Sequence, residues 1–141
     1  MDSNTVWTVN DYMDGCIIGV ADYSNSHCIY ERIFDEEMDK WSENYYLTPI
    51  SQVDFSVILH DWERWKKWRL DFDNNQRPIS DWKQGIELEV IAKKSSNYRK
   101  AIQHGIFIGD WRYCEDMKVK WSTPIIVRSH NFVTTEIVQL C

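Results

Sequence analysis

The sequence predicts an α+β fold, a mostly antiparallel sheet with one long tryptophan-rich helix and one or two shorter helices. Three observations carry this. Residues 17–34 hold two β-prone runs around Ser24, Asn25 and Ser26, residues 50–75 repeat apolar side chains at helical spacing, and residues 105–141 return to β-branched and aromatic runs. A helical middle between two β-rich ends is segregated rather than alternating, which suits an antiparallel sheet.

The 141 residues suit a single domain, 1–141, able to bury about two thirds of its unfolded surface. Apolar residues at 43% and charged ones at 27% are too apolar a mixture for disorder. The N-terminal segment is read as an acidic hairpin and loop over 1–43. Asn and Ser at 24–26 suit the hairpin turn, both faces of the flanking runs carry apolar groups, and 35–43 reads as an exposed acidic loop.

The long helix follows over 50–75. Ser51 is a good N-cap, Asp54 completes a short-armed capping box, and Ile50 is placed to staple onto Phe55. Phe55, Ile58, Leu59, Trp62, Trp65 and Phe72 then recur on one face, with Trp68 widening it and Glu63 set to pair with Lys67 on the wet side. Residues 78–104 are helical or mixed. Ser80 could cap a helix carrying Trp82, Ile86 and Val90, but Ile86, Leu88 and Val90 also alternate as a strand would. Residues 96–103 read as a short helix stopped at Gly105. Over 105–141, IFIGDWRY and MKVKWS form a hairpin around Cys114 to Asp116, Pro124 ends the strand, and IIVRS and FVTTEIVQL add one or two more.

Charge is distributed unevenly. Residues 1–43 carry ten acids against Arg32 and Lys40, a balance of −8, so the other 98 residues sum to +2 within the overall −6. Such an acidic third attracts basic proteins and repels nucleic acid from its side. Eight tryptophans are many for this length, so either the core is unusually aromatic or some rings serve a partner.

Several chemistries are poorly supported. The five glycines form no G-x-G-x-x-G or Walker A turn, so no nucleotide cofactor is expected. His27 and Cys28 are adjacent and would point to opposite faces of a strand, and the four cysteines stand singly, so neither a metal nor a disulfide framework is expected. A thiol nucleophile would have to pair Cys16 or Cys28 with His27 or His60 in space. Glu31, Asp35, Glu36 and Asp39 beside Trp41 have the composition of a glycoside-cleaving site, yet are crowded enough to read as a solvated loop. Arg64, Lys66, Lys67 and Arg69 around Trp65 and Trp68 have a nucleic-acid-binding composition, opposed by the overall acidity. Without an apolar run of membrane-spanning length or a signal-like N-terminus, the expected location is cytoplasmic.

The stretch DYMDGCIIGVADYSNSHCIYERIFDEEMDKWSENYYLTPIS, with the DWERWKKW segment behind it, resembles a group of small uncharacterised bacterial proteins with a D-Y-x-D-G…G-x-A-D-Y…F-D-E…D-x-W-S…L-x-P pattern. Asp11, Asp14, Asp22, His27, Asp35, Trp41 and Pro49 are among the matching positions. Cys16 and Ile17 stand where the group favours Pro-Arg, and Ser26 where it favours Pro, so no site built on that arginine carries over. The group has no known shared activity, and the resemblance implies only that the acidic hairpin and loop form one unit.

The functional expectation is therefore a non-catalytic protein-binding module, in the manner of an immunity or inhibitor protein. Asp35, Glu36, Glu37 and Asp39 would steer a basic partner, and Trp41, Tyr45 and Tyr46 would anchor it. The alternatives are a small hydrolase using carboxylates and His27 in a tryptophan-lined cleft, and a structural subunit that hides its tryptophans in a homodimer.

Overall fold

The computed structural model describes residues 3–73, 85–94 and 101–124. The proposed Ser80 cap, Trp82, the Phe72 side chain and the two runs after Pro124 lie outside the described residues. Six strands follow one another around a closed barrel: β1 (Asn4–Tyr12), β2 (Cys16–Tyr23), β3 (Ser26–Asp35), β4 (Lys40–Pro49), β5 (Ala101–Ile108) and β6 (Lys118–Ser122). Every neighbouring pair is antiparallel, and β6 closes on β1 through Asn4↔Val119 and Thr5↔Lys118. Among the described residues, two helices, α1 (Gln52–Asp73) and α2 (Ile86–Lys94), come between β4 and β5.

The expected α+β fold built on an antiparallel sheet is thus corrected to a closed six-stranded barrel bearing two helices. Two unrecognised strands account for the difference. In β1 the run Thr5-Val6-Trp7-Thr8-Val9 is β-branched and aromatic throughout, a signal that was present. In β4 the strand-poor residues Glu43, Asn44 and Pro49 conceal the β-prone run between them, and only residues 36–39 of the expected acidic loop lie outside strands.

The partial amphipathicity of β2 and β3 now has a cause. Gly19, Tyr30 and Leu47 lie in register across three strands, and Tyr30, Leu47, Ala21 and Cys28 contribute to the cluster that fills the barrel. One residue out of phase, Val20 and Ile29 point outwards and pack under Phe55 and Ile58 of α1 and Leu88 and Ile91 of α2. Burying each such side chain contributes about 1.5–3 kcal/mol. Both faces are therefore apolar because both are covered. The β2–β3 turn has positive φ at Ser24 (51°) and Asn25 (63°), the backbone that a two-residue hairpin of native twist requires.

Ser51 caps α1, its Oγ accepting the Asp54 N–H at 3.1 Å, and Ile50 packs in the same cluster as Phe55. Glu63 reaches Lys66 at 3.2 Å instead of Lys67. Residues 86–94 are helical, which decides between the two readings of that stretch, but the buried face is Leu88 and Ile91; Ile86 and Val90 are about half exposed. Of the short helix expected over 96–103, Ala101, Ile102 and Gln103 belong instead to β5, and 96–100 lie outside the described residues.

Gly105 ends no helix. It lies inside β5, where an added Cβ would meet the rings of Trp121 and Tyr45. Gly19 does the same for Tyr30. An added Cβ there would drive into the Thr8 carbonyl and the Tyr30 hydroxyl, which donates to that carbonyl at 2.9 Å. Because one of those atoms is backbone, relief requires moving β1 away from β2. Gly19→Ala is therefore expected to destabilise the protein by about 1–3 kcal/mol, the usual range for overpacking, measured by urea denaturation; an unchanged midpoint would show that β1 yields freely.

Candidate functional site

The β3–β4 ladder continues to Asp35↔Lys40, whereas the β4–β5 ladder stops at Asn44↔His104 and the β5–β6 ladder runs on to Ile108↔Lys118. The wall therefore forks. Among the described residues, 40–43 have a partner strand on one side only, and the end of the β3–β4 hairpin projects as a two-stranded ribbon. Its turn is closed by Asp35 Oδ1, which accepts the Met38 N–H at 3.1 Å, and by the positive φ of Asp39, 52°.

Glu36, Glu37 and Asp39 are exposed at this tip and Asp35 is half-buried. Phe34 and Trp41 are cross-strand partners whose rings meet edge to face at 5.2 Å and 86°. Phe34 and Met38 are 40% and 45% exposed, so apolar surface stands beside the acids. Tyr46 lies further along β4 on the outer face and is partly exposed. Tyr45 is elsewhere. It points into the barrel at 3% exposure and donates to the Cys16 carbonyl at 2.7 Å, and burial pushes its phenol well up, so it cannot anchor a partner.

A bulge between Arg32 and Phe34 gives the ribbon its departure from the barrel, and side chains mend the broken ladder. Ser42 Oγ donates to the Ile33 carbonyl at 2.7 Å and accepts the Asn44 N–H at 3.2 Å. Arg32 donates through Nε to the Ser42 carbonyl at 2.6 Å and through Nη1 to the Met13 and Asp14 carbonyls at 3.5 and 3.3 Å. One guanidinium thus ties the β1–β2 turn to the root of the ribbon.

A cavity of about 380 Å³ lies at the fork, with Asp35, Trp41, Glu43, Asn44 and His104 in its wall. Asn44 and His104 are 8% and 5% exposed, yet Asn44 Oδ1 and His104 Nδ1 have no hydrogen-bond partner. Leaving a buried polar atom unmatched costs about 1–3 kcal/mol, a cost that Thr48 Oγ1 and Trp62 Nε1 also carry elsewhere among the described residues. Sequence reasoning found the acids and Trp41 but missed Phe34, Met38, Asn44 and His104. Phe34 and Met38 flank the acidic run and could have been included. Asn44 and His104 are sixty residues apart, and only the β4–β5 register brings them together.

The residues considered for catalysis are arranged differently. Asp22 Oδ1 accepts from Trp7 Nε1 at 2.8 Å and from His27 Nδ1 at 2.6 Å, while the His27 ring stacks on Phe55 with centroids 3.7 Å apart. The Ile50 N–H donates to the His27 carbonyl at 2.9 Å, so the whole group fastens the β2–β3 turn to the start of α1. The three described cysteines offer no thiolate. Burial pushes the Cys16 thiol up to about 11 and those of Cys28 and Cys114 to about 12, the reverse of what a nucleophile needs. His60 is exposed on α1. In the basic cluster of α1, Lys66 pairs with Glu63, and Arg69 with Asp73 at 3.2 Å. Among the described residues, no three His, Cys, Asp or Glu side chains gather as a metal would require, and no described helix is long and apolar enough to cross a membrane.

No protein-family model, curated protein or solved structure matches the chain, so its function is argued from this geometry.

Two outcomes are expected. Asp22→Ala strands the Trp7 and His27 donors and should lower stability by about 2 kcal/mol, discounted from two fully buried losses because the group is partly exposed; chemical denaturation measures it, and a neutral result would show that water replaces the carboxylate. The buried thiols have folded pKa values above the unfolded one near 9, so the native state holds protons that the unfolded state releases. Their contribution is complete below pH 9 and is lost as pH rises towards 11–12. Between pH 8 and 10, under reducing conditions, the wild type should lose about 1 kcal/mol more than Cys28→Ala; equal losses would mean the thiol titrates normally.

Proposed function

We propose that this protein is a non-catalytic binding module whose projecting β3–β4 ribbon engages a basic protein partner, in the manner of an immunity or inhibitor protein covering a cationic target. The observation that carries the reading is the joint exposure of acids and apolar side chains on one projecting element. Glu36, Glu37 and Asp39 stand in water at the tip, and Phe34, Met38 and Trp41 lie directly behind them.

The two kinds of group have separate tasks. Exposed carboxylates contribute little affinity apiece, but their summed field accelerates encounter and discriminates against acidic partners. The Phe34 and Trp41 rings, already held edge to face, supply area that can be desolvated with little loss of side-chain freedom. A ribbon also suits insertion into a concave partner. The hydrolase reading has weaker support, because the Asp22–His27 pair is engaged with Trp7 and Phe55 and the neighbouring thiol stays protonated.

The test begins with capture of partners from native cell extract at low and high salt. Wild type should retain a basic protein at low salt and release it at high salt. Against that purified protein, replacing Asp35, Glu36, Glu37 and Asp39 together by Lys should slow association about tenfold or more at low salt, and the difference should shrink as salt screens the field. Equal association rates for wild type and variant would sink the proposal.

A further inference from the structure

We infer that the open edge of β5 beyond the fork, residues 106–108, takes up an extended segment of the basic partner as an added strand. The partner's basic character rests on the binding reading above; the edge itself follows from how the strands pair.

β5 continues past its last partner on β4, His104 against Asn44, and pairs with β6 alone through Ile106↔Lys120, Phe107↔Val119 and Ile108↔Lys118. Successive residues of an antiparallel strand turn their N–H and C=O groups to opposite sides. β6 takes one set, and over 106–108 the other set faces the fork with no partner strand among the described residues. Folded proteins protect such an edge with charge, proline, a bulge or a covering element. The run Gly105-Ile106-Phe107-Ile108 carries neither charge nor proline, and its register with β6 is unbroken. Ile106 and Ile108 are about half exposed. A regular, apolar edge of this kind is the template on which an extended peptide adds.

There is room for it. A cavity of about 230 Å³ lies against the edge, with Ile106, Phe107, Tyr45, Met117 and Trp111 in its wall, and Arg32 and Glu43 line both this cavity and the one at the fork. The two spaces therefore adjoin along the gap between β4 and β5. Trp111 stacks on Tyr12 with ring centroids 4.3 Å apart and planes 9° from parallel, and both residues are 38% exposed, so the pair offers an aromatic face to a cation.

Charge decides the occupant. Because neighbouring strands alternate in direction, the β1–β2, β3–β4 and β5–β6 turns share this end of the barrel. They expose Asp14, Glu36, Glu37, Asp39, Asp110, Glu115 and Asp116 against one base, Arg112, which pairs with Asp110 at 3.5 Å. An acidic strand is repelled by that field and a basic one is drawn in. Side chains of a strand alternate between its faces. The segment that fits therefore alternates apolar residues, turned towards Phe107 and Met117, with basic residues turned to water.

The probe is a nonapeptide of alternating lysine and valine, titrated calorimetrically at low salt into the wild type beside its glutamate–valine counterpart. Two further isomers of the lysine–valine peptide carry N-methyl groups, one at its valines and one at its lysines. The N–H groups of the two residue types point to opposite edges of the extended peptide, so strand addition uses one set. The lysine–valine peptide should bind and the glutamate–valine peptide should not. One N-methyl isomer should be weakened about tenfold or more while the other keeps its affinity. In hydrogen exchange, an amide within 106–108 that is open in the free protein should become protected by the peptide. Absence of lysine–valine binding, both isomers binding like their parent, both failing alike, or protection that appears elsewhere each overturn the edge site. So does a dimer of the protein alone with those amides already protected, which gives the edge to a second copy. These failures leave the acidic ribbon standing; that reading falls instead on the association rates of the four-acid variant.

Discussion

The barrel depends on three aromatic side chains that cross its interior and donate to backbone carbonyls two strands away. Tyr30 on β3 reaches Thr8 on β1 at 2.9 Å, Tyr45 on β4 reaches Cys16 on β2 at 2.7 Å, and Trp121 on β6 reaches Asp22 on β2 at 3.0 Å. Phe107 contacts all three rings. A six-stranded barrel has a narrow interior that side chains must fill completely. Here three large rings fill it and also tie non-adjacent strands together, an arrangement possible only because Gly19 and Gly105 leave room for their edges. Each of these three hydroxyl and indole groups has a partner, so these rings add their large area without the penalty of an unmatched polar tip.

That interior determines where the ribbon leaves. Tyr30 occupies the inward position of β3, and Arg32, two residues on, is the next to face the same way. Its aliphatic stem continues the interior while its guanidinium stops the open end by donating to carbonyls of β4 and of the β1–β2 turn. Past it the ladder bulges, β3 and β4 diverge from β5, and the residues beyond are released from the barrel's demand for inward apolar groups. The acids of 35–39 are therefore tolerated at this end, and the rings of Phe34 and Trp41 pack on one another rather than in the core. The opposite end is committed to the helices, with Asp22, His27, Trp7 and Phe55 joined in one contact group at the start of α1.

How much of this was legible follows from which interactions are local. The capped start of α1 and the β2–β3 turn depend on residues within a few positions of each other, and both could be read from Ser51, Asp54, Asn25 and their neighbours. Closure was not legible. It rests on Asn4 meeting Val119, more than a hundred residues away, and a strand buried on both faces loses the alternation that would identify it. The same limit explains the errors of face. Ile86 and Val90 repeat at four-residue spacing, but which stripe of α2 is buried was decided by Val20 and Ile29 on the barrel wall. Tyr45 and Tyr46 are chemically alike and adjacent, and only the phase of β4 sends one inwards and the other out. Of the site, the acidic turn and Trp41 belong to one short segment and were found together; Asn44 and His104 acquire meaning only as a pair.

The fork is where the requirements of stability and those of recognition separate. Tyr30, Tyr45 and Trp121 find carbonyls for their polar atoms inside the barrel, whereas the Trp62 indole N–H in the same cluster does not, and the bulge at Arg32 is bridged by Ser42 through its Ile33 and Asn44 contacts. A structure that mends its backbone so thoroughly could as well have placed apolar residues at positions 44 and 104, where they would pack without cost. It instead holds an amide oxygen and an imidazole nitrogen unmatched in register, beside an aromatic ring and beneath a run of carboxylates. Each such unmatched atom costs stability, and the rest of the fold must be stable enough to carry it. The aromatic interior supplies that stability, and the ribbon it releases carries the exposed charge. In the binding reading the tip attracts the partner from a distance, and the Phe34 and Trp41 rings, held edge to face, supply area that is desolvated on contact.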